Sequence, residues 1–393
     1  MSSVSNVYRI LQKHLNKMPV GYPPTKSGVE ISLLMKIFEP EQALAAIHLH
    51  YKHKLIDEIF ETAKGNIESN EKLKNLLDVA VSKGGISRRY RNGEAQYALL
   101  PFILWGMYEH QLKRLDKEFL EDTGKYLNGE FGLEMATSTL PKMRVIPVEK
   151  SVKIDYKIST YDELKKLISK AGDNIAIQEC ICKKIKDKKN TPCQLTNRRE
   201  VCMSFGDLAD LYSEEKWARK ITKEEALLIA YKNEEEGLAL MPSNEQEPSF
   251  MCACCSDCCG MFAMMKSFPK PAEVVGSNFY AEINTELCEG CEKCVERCPI
   301  DAVKKTNSVS EINLKRCIGC GLCVPTCSEK AIQLIAKEKE VVPPATLEDH
   351  FDIIYANRMS IPGKMRSFAI KSILRILTNI SKRSKTIKEL EHQ

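Results

Sequence analysis

The chain has 393 residues, 43% of them hydrophobic, which is enough to build ordinary cores and sets an expectation of two to three domains. A net charge of +5 is mild at this size and does not by itself argue for nucleic acid. Seventeen cysteines, bunched between 180 and 327 of a long chain, exclude a small disulfide scaffold and point to a reducing cytoplasm.

No basic-then-apolar leader follows Met1, so no secretory signal is expected. The most apolar run, Tyr97 to Tyr108, contains Pro101 and is shorter than the roughly 20 residues of a spanning helix. Within a first region, residues 1–145, Ser5 to Lys17 reads as an amphipathic helix with Val7, Ile10, Leu11, His14 and Leu15 on one side. Two further helices are expected over Gln42 to His50 and Leu55 to Ala63. A third, Asn70 to Lys83, places Leu73, Leu76, Leu77 and Ala80 on one face and stops at Gly84-Gly85. Asn92-Gly93 between Ile86–Tyr90 and Ala95–Leu99 predicts a hairpin.

Three helices followed by a hairpin resemble a winged helix, a fold that binds DNA but also serves as a dimerisation or docking module. Arg88, Arg89 and Arg91 on the hairpin could reach phosphates. The Asn70 helix, however, shows Glu71, Lys72, Lys74, Asn75 and Asp78, a mixed surface without a basic stripe, so docking is preferred and nucleic acid is not expected. His48, His50 and His53 do not share a helix face and are not read as a metal site. A long helix, about 102–127, is expected after Pro101. Its apolar edge of Trp105, Tyr108, Leu112 and Leu115 could pack against a second copy, and the loop around Ser138 to Pro147 marks a boundary.

The middle region, 146–275, reads as a small α/β unit, with short strands at Val152–Ile154 and Ile175–Ile177. Capping boxes at Thr160-Tyr-Asp-Glu163 and Thr222-Lys-Glu-Glu225 each open a helix, the second ending before Gly237. Its loops carry nine cysteines: Cys180, Cys182, Cys193 and Cys202, then Cys252, Cys254, Cys255, Cys258 and Cys259. Ordinary buried thiols account for one or two of these but not for five within eight positions beside Asp257. A further iron–sulfur cluster is the preferred expectation; structural zinc on Cys180, Cys182, Cys193 and Cys202, and redox-active thiols, stay open.

Residues 276–340 carry the most specific signal. Cys288, Cys291, Cys294 and Cys298 follow the spacing C-x2-C-x2-C-x3-C, and Cys317, Cys320, Cys323 and Cys327 repeat it 29 positions later. Thiolates three apart on a tight loop converge on one inorganic cube, and the fourth cysteine is carried toward the neighbouring one. Crossed ligation is therefore predicted: Cys288, Cys291, Cys294 and Cys327 for cluster I, and Cys317, Cys320, Cys323 and Cys298 for cluster II. Zinc ribbons use paired C-x2-C knuckles rather than three cysteines in a row. The stretch resembles the bacterial two-[4Fe–4S] ferredoxins over about 278 to 337, with Gly290 and Gly319 between the first two ligands of each copy. It departs from them at Ser328, where Pro299 stands in the first copy, and at Glu289, where Ile318 stands in the second. The whole order is similar to multi-domain 4Fe–4S dicluster proteins of anaerobic bacteria and archaea.

In the tail, 341–393, Gly363 to Ser381 reads as a basic amphipathic helix that packs on its own chain, on a membrane surface or in a partner's groove. The expected architecture is thus multi-domain α+β: a helical, winged-helix-like region, a Cys-rich α/β domain, a ferredoxin-like dicluster module and a helical tail. The expected function is an iron–sulfur electron carrier, or an electron-transfer subunit of a larger anaerobic oxidoreductase system, working with a redox partner protein. The alternative is an iron–sulfur-dependent winged-helix transcription regulator. No nucleotide-binding or hydrolytic motif is present, and no catalytic residue is assigned.

Overall fold

A computed structural model describes residues 3–137, 140–151, 159, 162–360, 363–365 and 367–370. The chain divides into two compact units, residues 1–140 with 351–393, and residues 141–350. Helices and strands are mixed along the chain and every described sheet is antiparallel, so the class is α+β.

The first unit opens with helices α1 (Ser3–Leu15), α2 (Val29–Ile37) and α3 (Pro40–Ala46). Tyr8, Leu11 and Leu15 form the buried stripe of α1, while Ile10, expected on that face, stays exposed. After β1 (Lys54–Leu55) come α4 (Ile56–Ala63) and α5 (Asn70–Ser82). The Ser69 side chain caps α5 by accepting from the Lys72 amide, and its Leu73, Leu77 and Ala80 are buried. Strands β2 (Ile86–Arg91) and β3 (Glu94–Leu99) meet at the expected Asn92-Gly93 turn, and the sheet order is β1-β3-β2.

The single helix expected over 102–127 is not formed. Leu104 and Trp105 take left-handed backbone conformations, and the Glu109 carboxylate accepts the amides of Leu104 at 3.2 Å and Gly106 at 3.0 Å. A coil therefore replaces the first turns. A 3-10 turn, Glu109–Arg114, then ends at extended Leu115. Asp116 caps α6 (Lys117–Leu127), its side chain accepting from Phe119 N at 2.7 Å, and α7 (Glu130–Ala136) follows. Trp105 and Leu115, expected to face a second copy, are buried in the chain itself.

In the second unit, α8 (Leu164–Lys170) begins after Glu163; the strand expected at 152–154 and Thr160 of the first capping box lie outside the described residues. Then come β4 (Ile175–Glu179), α9 (Ile181–Lys188), β5 (Glu200–Phe205), α10 (Gly206–Glu214) and β6 (Arg219–Lys220). The Thr222 hydroxyl accepts the Glu225 amide at 3.2 Å and opens α11 (Lys223–Glu235), which ends at left-handed Gly237 as expected. With β7 (Ala239–Pro242) and β8 (Phe250–Cys254) the sheet has the order β6-β4-β5-β8-β7 and is antiparallel at every pairing. Nearly every residue of β4, β5 and β7 is buried, so both sheet faces are covered. Helix α12 (Gly260–Lys266) leads to the C-terminal module: β9 (Phe279–Ile283), α13 (Lys293–Arg297), β10 (Val303–Thr306), β11 (Val309–Ile312) and β12 (Ile332–Ala336).

The segment 144–148 joins sheet and module by alternating its hydrogen bonds. The amides of Arg144 and Ile146 donate to Pro242 and Leu240 in β7, while those of Val145 and Val148 donate to Gly276 and Cys320. Arg144 also forms a buried ion pair with Asp162, whose other oxygen accepts from Asn278 Nδ2 at 2.8 Å. Helix α14 (Leu347–Met359) closes the described fold. Most of the basic helix expected over 363–381 lies outside the described residues; Met365 and Phe368 within it are exposed.

Candidate metal centres

The 29-residue repeat of the sequence is also a repeat of backbone conformation. Left-handed residues occur at Gly290, Glu292 and Asp301, and again 29 positions on at Gly319, Gly321 and Lys330. Each half thus turns a tight loop, a helical turn and a strand in the same way. The halves interlock because β9 pairs with β12, Ile283 opposite Ile332 and Phe279 opposite Ala336, while β10 and β11 form their own hairpin.

This interlock brings the cysteines into two mixed sets. One cavity is lined by Cys288, Cys291 and Cys294 of the first copy together with Cys327 of the second. In the other set Cys298 lies near enough to Cys317, Cys320 and Cys323 for its charge to push all three thiols up, adding to the larger effect of burial. Four equivalent backbone contacts hold the sulfurs. The amides of Ala302 and Ala331 donate to Cys298 and Cys327 at 3.2 and 3.3 Å. Those of Ser310 and Ala281 donate to Cys288 and Cys317, each at 3.4 Å. Such N–H···S bonds favour the thiolate that a metal requires and orient it. Phe279, Ala281, Val303, Ile332 and Leu334 form an apolar core around Cys294 and Cys323. Two four-thiol sets, each with orienting amides and an apolar wall, fit a pair of [4Fe–4S] clusters.

The other nine cysteines fall into two groups. Six form a closed ring of sulfurs, each within hydrogen-bonding reach of the next: Cys180, Cys182, Cys259, Cys254, Cys252, Cys202 and back to Cys180. Local structure explains their convergence. Cys252 and Cys254 are two apart on β8 and so share a face, and Cys202 lies on neighbouring β5. Cys180 and Cys259 are the N-cap residues of α9 and α12. Thiol donation from Cys182 and Cys202, with the Lys183 amide, holds Cys180 well below the usual thiol range. Cys182, Cys254 and the Phe262 amide do the same for Cys259. Hydrogen bonds to the neighbouring sulfurs, and then burial, push Cys182, Cys202 and Cys254 up.

The remaining three, Cys193, Cys255 and Cys258, gather with Asp257. The zinc set of Cys180, Cys182, Cys193 and Cys202 is therefore not formed, because Cys193 belongs to the other group. Lys183, which sequence reasoning passed over, is fully buried between the two groups, its Nζ 2.8 Å from Cys255 Sγ and 3.3 Å from Cys193 Sγ. Burial pushes its pKa down, but the charge of Cys255 and of neighbouring sulfurs outweighs this and raises it, so the ammonium persists. Its sequence signal was slight: one more lysine in Lys183-Lys184, directly after Cys182.

Among the described residues no helix is long and apolar enough to cross a membrane. No curated protein and no solved structure matches the chain. The family model described as a 4Fe-4S dicluster domain does match, over residues 280–328, a span that contains all eight cysteines of the repeat. Match and geometry together support an iron–sulfur electron-transfer role, and residues 280–328 are a 4Fe–4S dicluster domain.

Proposed function

We infer that the protein is a one-electron carrier, or the electron-transfer subunit of a larger redox system, with two clusters in the dicluster domain and a third iron–sulfur centre on the six-cysteine ring. When bound, such clusters supply reversible one-electron oxidation and reduction. The chain's contribution is to hold thiolates in place, aim amides at their sulfurs and keep water out with the apolar wall of residues 279–334. The observation that carries the reading is the mixing of the two copies into two four-cysteine sets. For the third centre the support is number: a single tetrahedral ion uses four thiolates, and a ring of six sulfurs, each reaching only its two neighbours, offers more than one ion takes.

The first unit's run β1, α4, α5, β2, β3 with sheet order β1-β3-β2 resembles a winged helix, and we read it as a docking module for a redox partner protein. Its hairpin cations are engaged at home. Arg88 pairs with Asp78 at 3.0 Å, Arg89 donates to Gln96 at 2.8 Å, and Arg91 donates to the Tyr90 carbonyl at 2.9 Å. That favours docking over DNA binding.

The test is anaerobic purification of the full chain, quantitation of iron and acid-labile sulfide, and EPR of the reduced protein. Iron and sulfide in excess of two cubes, with EPR signals from more than two centres, is the expected result. A protein without sulfide or EPR signal would end the electron-transfer reading, and a content of two cubes alone would remove the third centre.

A further inference from the structure

The geometry points to a mononuclear zinc site on Cys193, Cys255, Cys258 and Asp257, separate from the six-cysteine ring and from both clusters of the dicluster domain. The ligand atoms of these four residues all lie within 4.8 Å of one another. Two zinc–sulfur bonds of about 2.3 Å meeting at the tetrahedral angle leave their sulfurs about 3.8 Å apart, and a sulfur and a carboxylate oxygen about 3.5 Å apart. Cys193 Sγ lies 3.8 Å from Cys255 Sγ and 3.7 Å from Asp257 Oδ1. These are edges of a tetrahedron around one ion. A cube holds its thiolates farther apart, because they radiate from four different irons.

The donor set and its surroundings select the metal. Thiolates favour zinc, copper(I) or iron–sulfur centres, and a carboxylate in the same shell disfavours the soft copper(I) ion. The second carboxylate oxygen, Asp257 Oδ2, accepts the Gln194 amide at 2.8 Å, which leaves Oδ1 directed at the sulfurs as a single ligand. The amides of Leu195 and Thr196 point back at Cys193 and stabilise its thiolate. Three thiolates and a carboxylate around a dication leave two uncompensated negative charges, and the buried Lys183 ammonium offsets one of them. Four protein ligands close the shell, so the role is structural. The ion ties the loop after α9, which carries Cys193, to the loop after β8, which carries Cys255 to Cys258. Cys255 and Cys258 are the chain neighbours of ring members Cys254 and Cys259, so one chain segment serves both groups while the ligand sets share no residue.

The test measures zinc, iron and acid-labile sulfide in the full-length chain purified anaerobically, with zinc X-ray absorption on the same sample. One zinc per chain is expected, with three sulfurs at about 2.3 Å and one oxygen at about 2.0 Å. In Asp257→Asn and in Cys193→Ser, zinc retained against a chelator should fall at least ~10-fold while iron and sulfide stay unchanged. Cys252→Ser, which cuts the ring, should leave zinc untouched; its effect on iron reports on the third iron–sulfur centre, so the two ideas fail separately. A wild-type protein without zinc, a zinc shell of four sulfurs, iron in excess of sulfide at this site, or loss of iron and sulfide in Cys193→Ser would each overturn the assignment. The wild-type absorption spectrum decides even where a variant does not fold.

Discussion

Substitution of Gly319 by alanine should damage the second unit more than its backbone conformation alone would require. Gly319 has φ +69°, and a left-handed alanine costs roughly 1–2 kcal/mol. An added Cβ would also lie 2.2 Å from the Phe279 carbonyl oxygen, inside the 3.0 Å below which real Cβ contacts are essentially never found. The start of β9 must therefore give by about 0.8 Å (3.0 less 2.2), and forcing an atom into a packed core adds ~1–3 kcal/mol. Movement of β9 also shifts the Ala281 amide away from Cys317. The control is Gly172→Ala in the same unit, with φ +66° and nothing within 4 Å of the new Cβ, which should lose only the conformational ~1–2 kcal/mol. Urea unfolding of both variants under anaerobic conditions, with iron release followed by visible absorbance, separates them. Gly319→Ala should unfold at lower urea than Gly172→Ala and release iron earlier. Equal midpoints with full iron retention would refute the packing argument.

Crossed ligation predicts that Cys298→Ser removes the EPR signal of the centre on Cys317, Cys320 and Cys323 and spares the other; loss of the 288/291/294 signal instead would refute the crossing. Replacing Arg88, Arg89 and Arg91 together by alanine should lower the stability of the first unit by ~1 kcal/mol through the Arg88–Asp78 pair. The same variant should leave duplex binding negligible at physiological salt by fluorescence anisotropy, and tight, salt-sensitive binding by the parent chain would contradict the docking reading. Burial pushes the Glu234 carboxyl up to about 7 against the Glu149 amide it accepts, so the native state holds its proton more tightly than the unfolded chain. Stability is then highest below the ordinary value of 4.5 and falls as pH rises to about 7, by up to ~3 kcal/mol. Glu234→Gln should flatten that fall in thermal unfolding between pH 4 and 7.5, and an unchanged slope would count against it.

The parts of this fold that were legible in the sequence are those set by short-range rules. Asn92-Gly93 needs a left-handed turn and gets one; Thr222 and Glu225 form their cap within three residues; the cysteine spacing repeats, and the backbone repeats with it. The helix expected over 102–127 failed because its competitor is not a local propensity. Glu109 reaches back to two amides and stabilises left-handed Leu104 and Trp105, a conformation that no rule about apolar periodicity anticipates. Asp116, which caps α6, was the available sign that a new helix begins there.

The cysteines of the middle region make the same point about direction rather than position. Read as a string, 252 to 259 is one dense run, which suggests one or more further clusters without dividing its cysteines between them. Read as a strand, Cys252 and Cys254 share a face, and the alternation ends at Cys254, the last residue of β8. Cys255 therefore turns away, and so does Cys258 from Cys259, which is committed to the start of α12. Each Cys-Cys pair thus sends one sulfur to the ring and one to the group around Asp257. Doubled cysteines let a single chain segment present sulfurs to two groups on either side of it. The density of the run is that of a segment whose sulfurs divide between two groups.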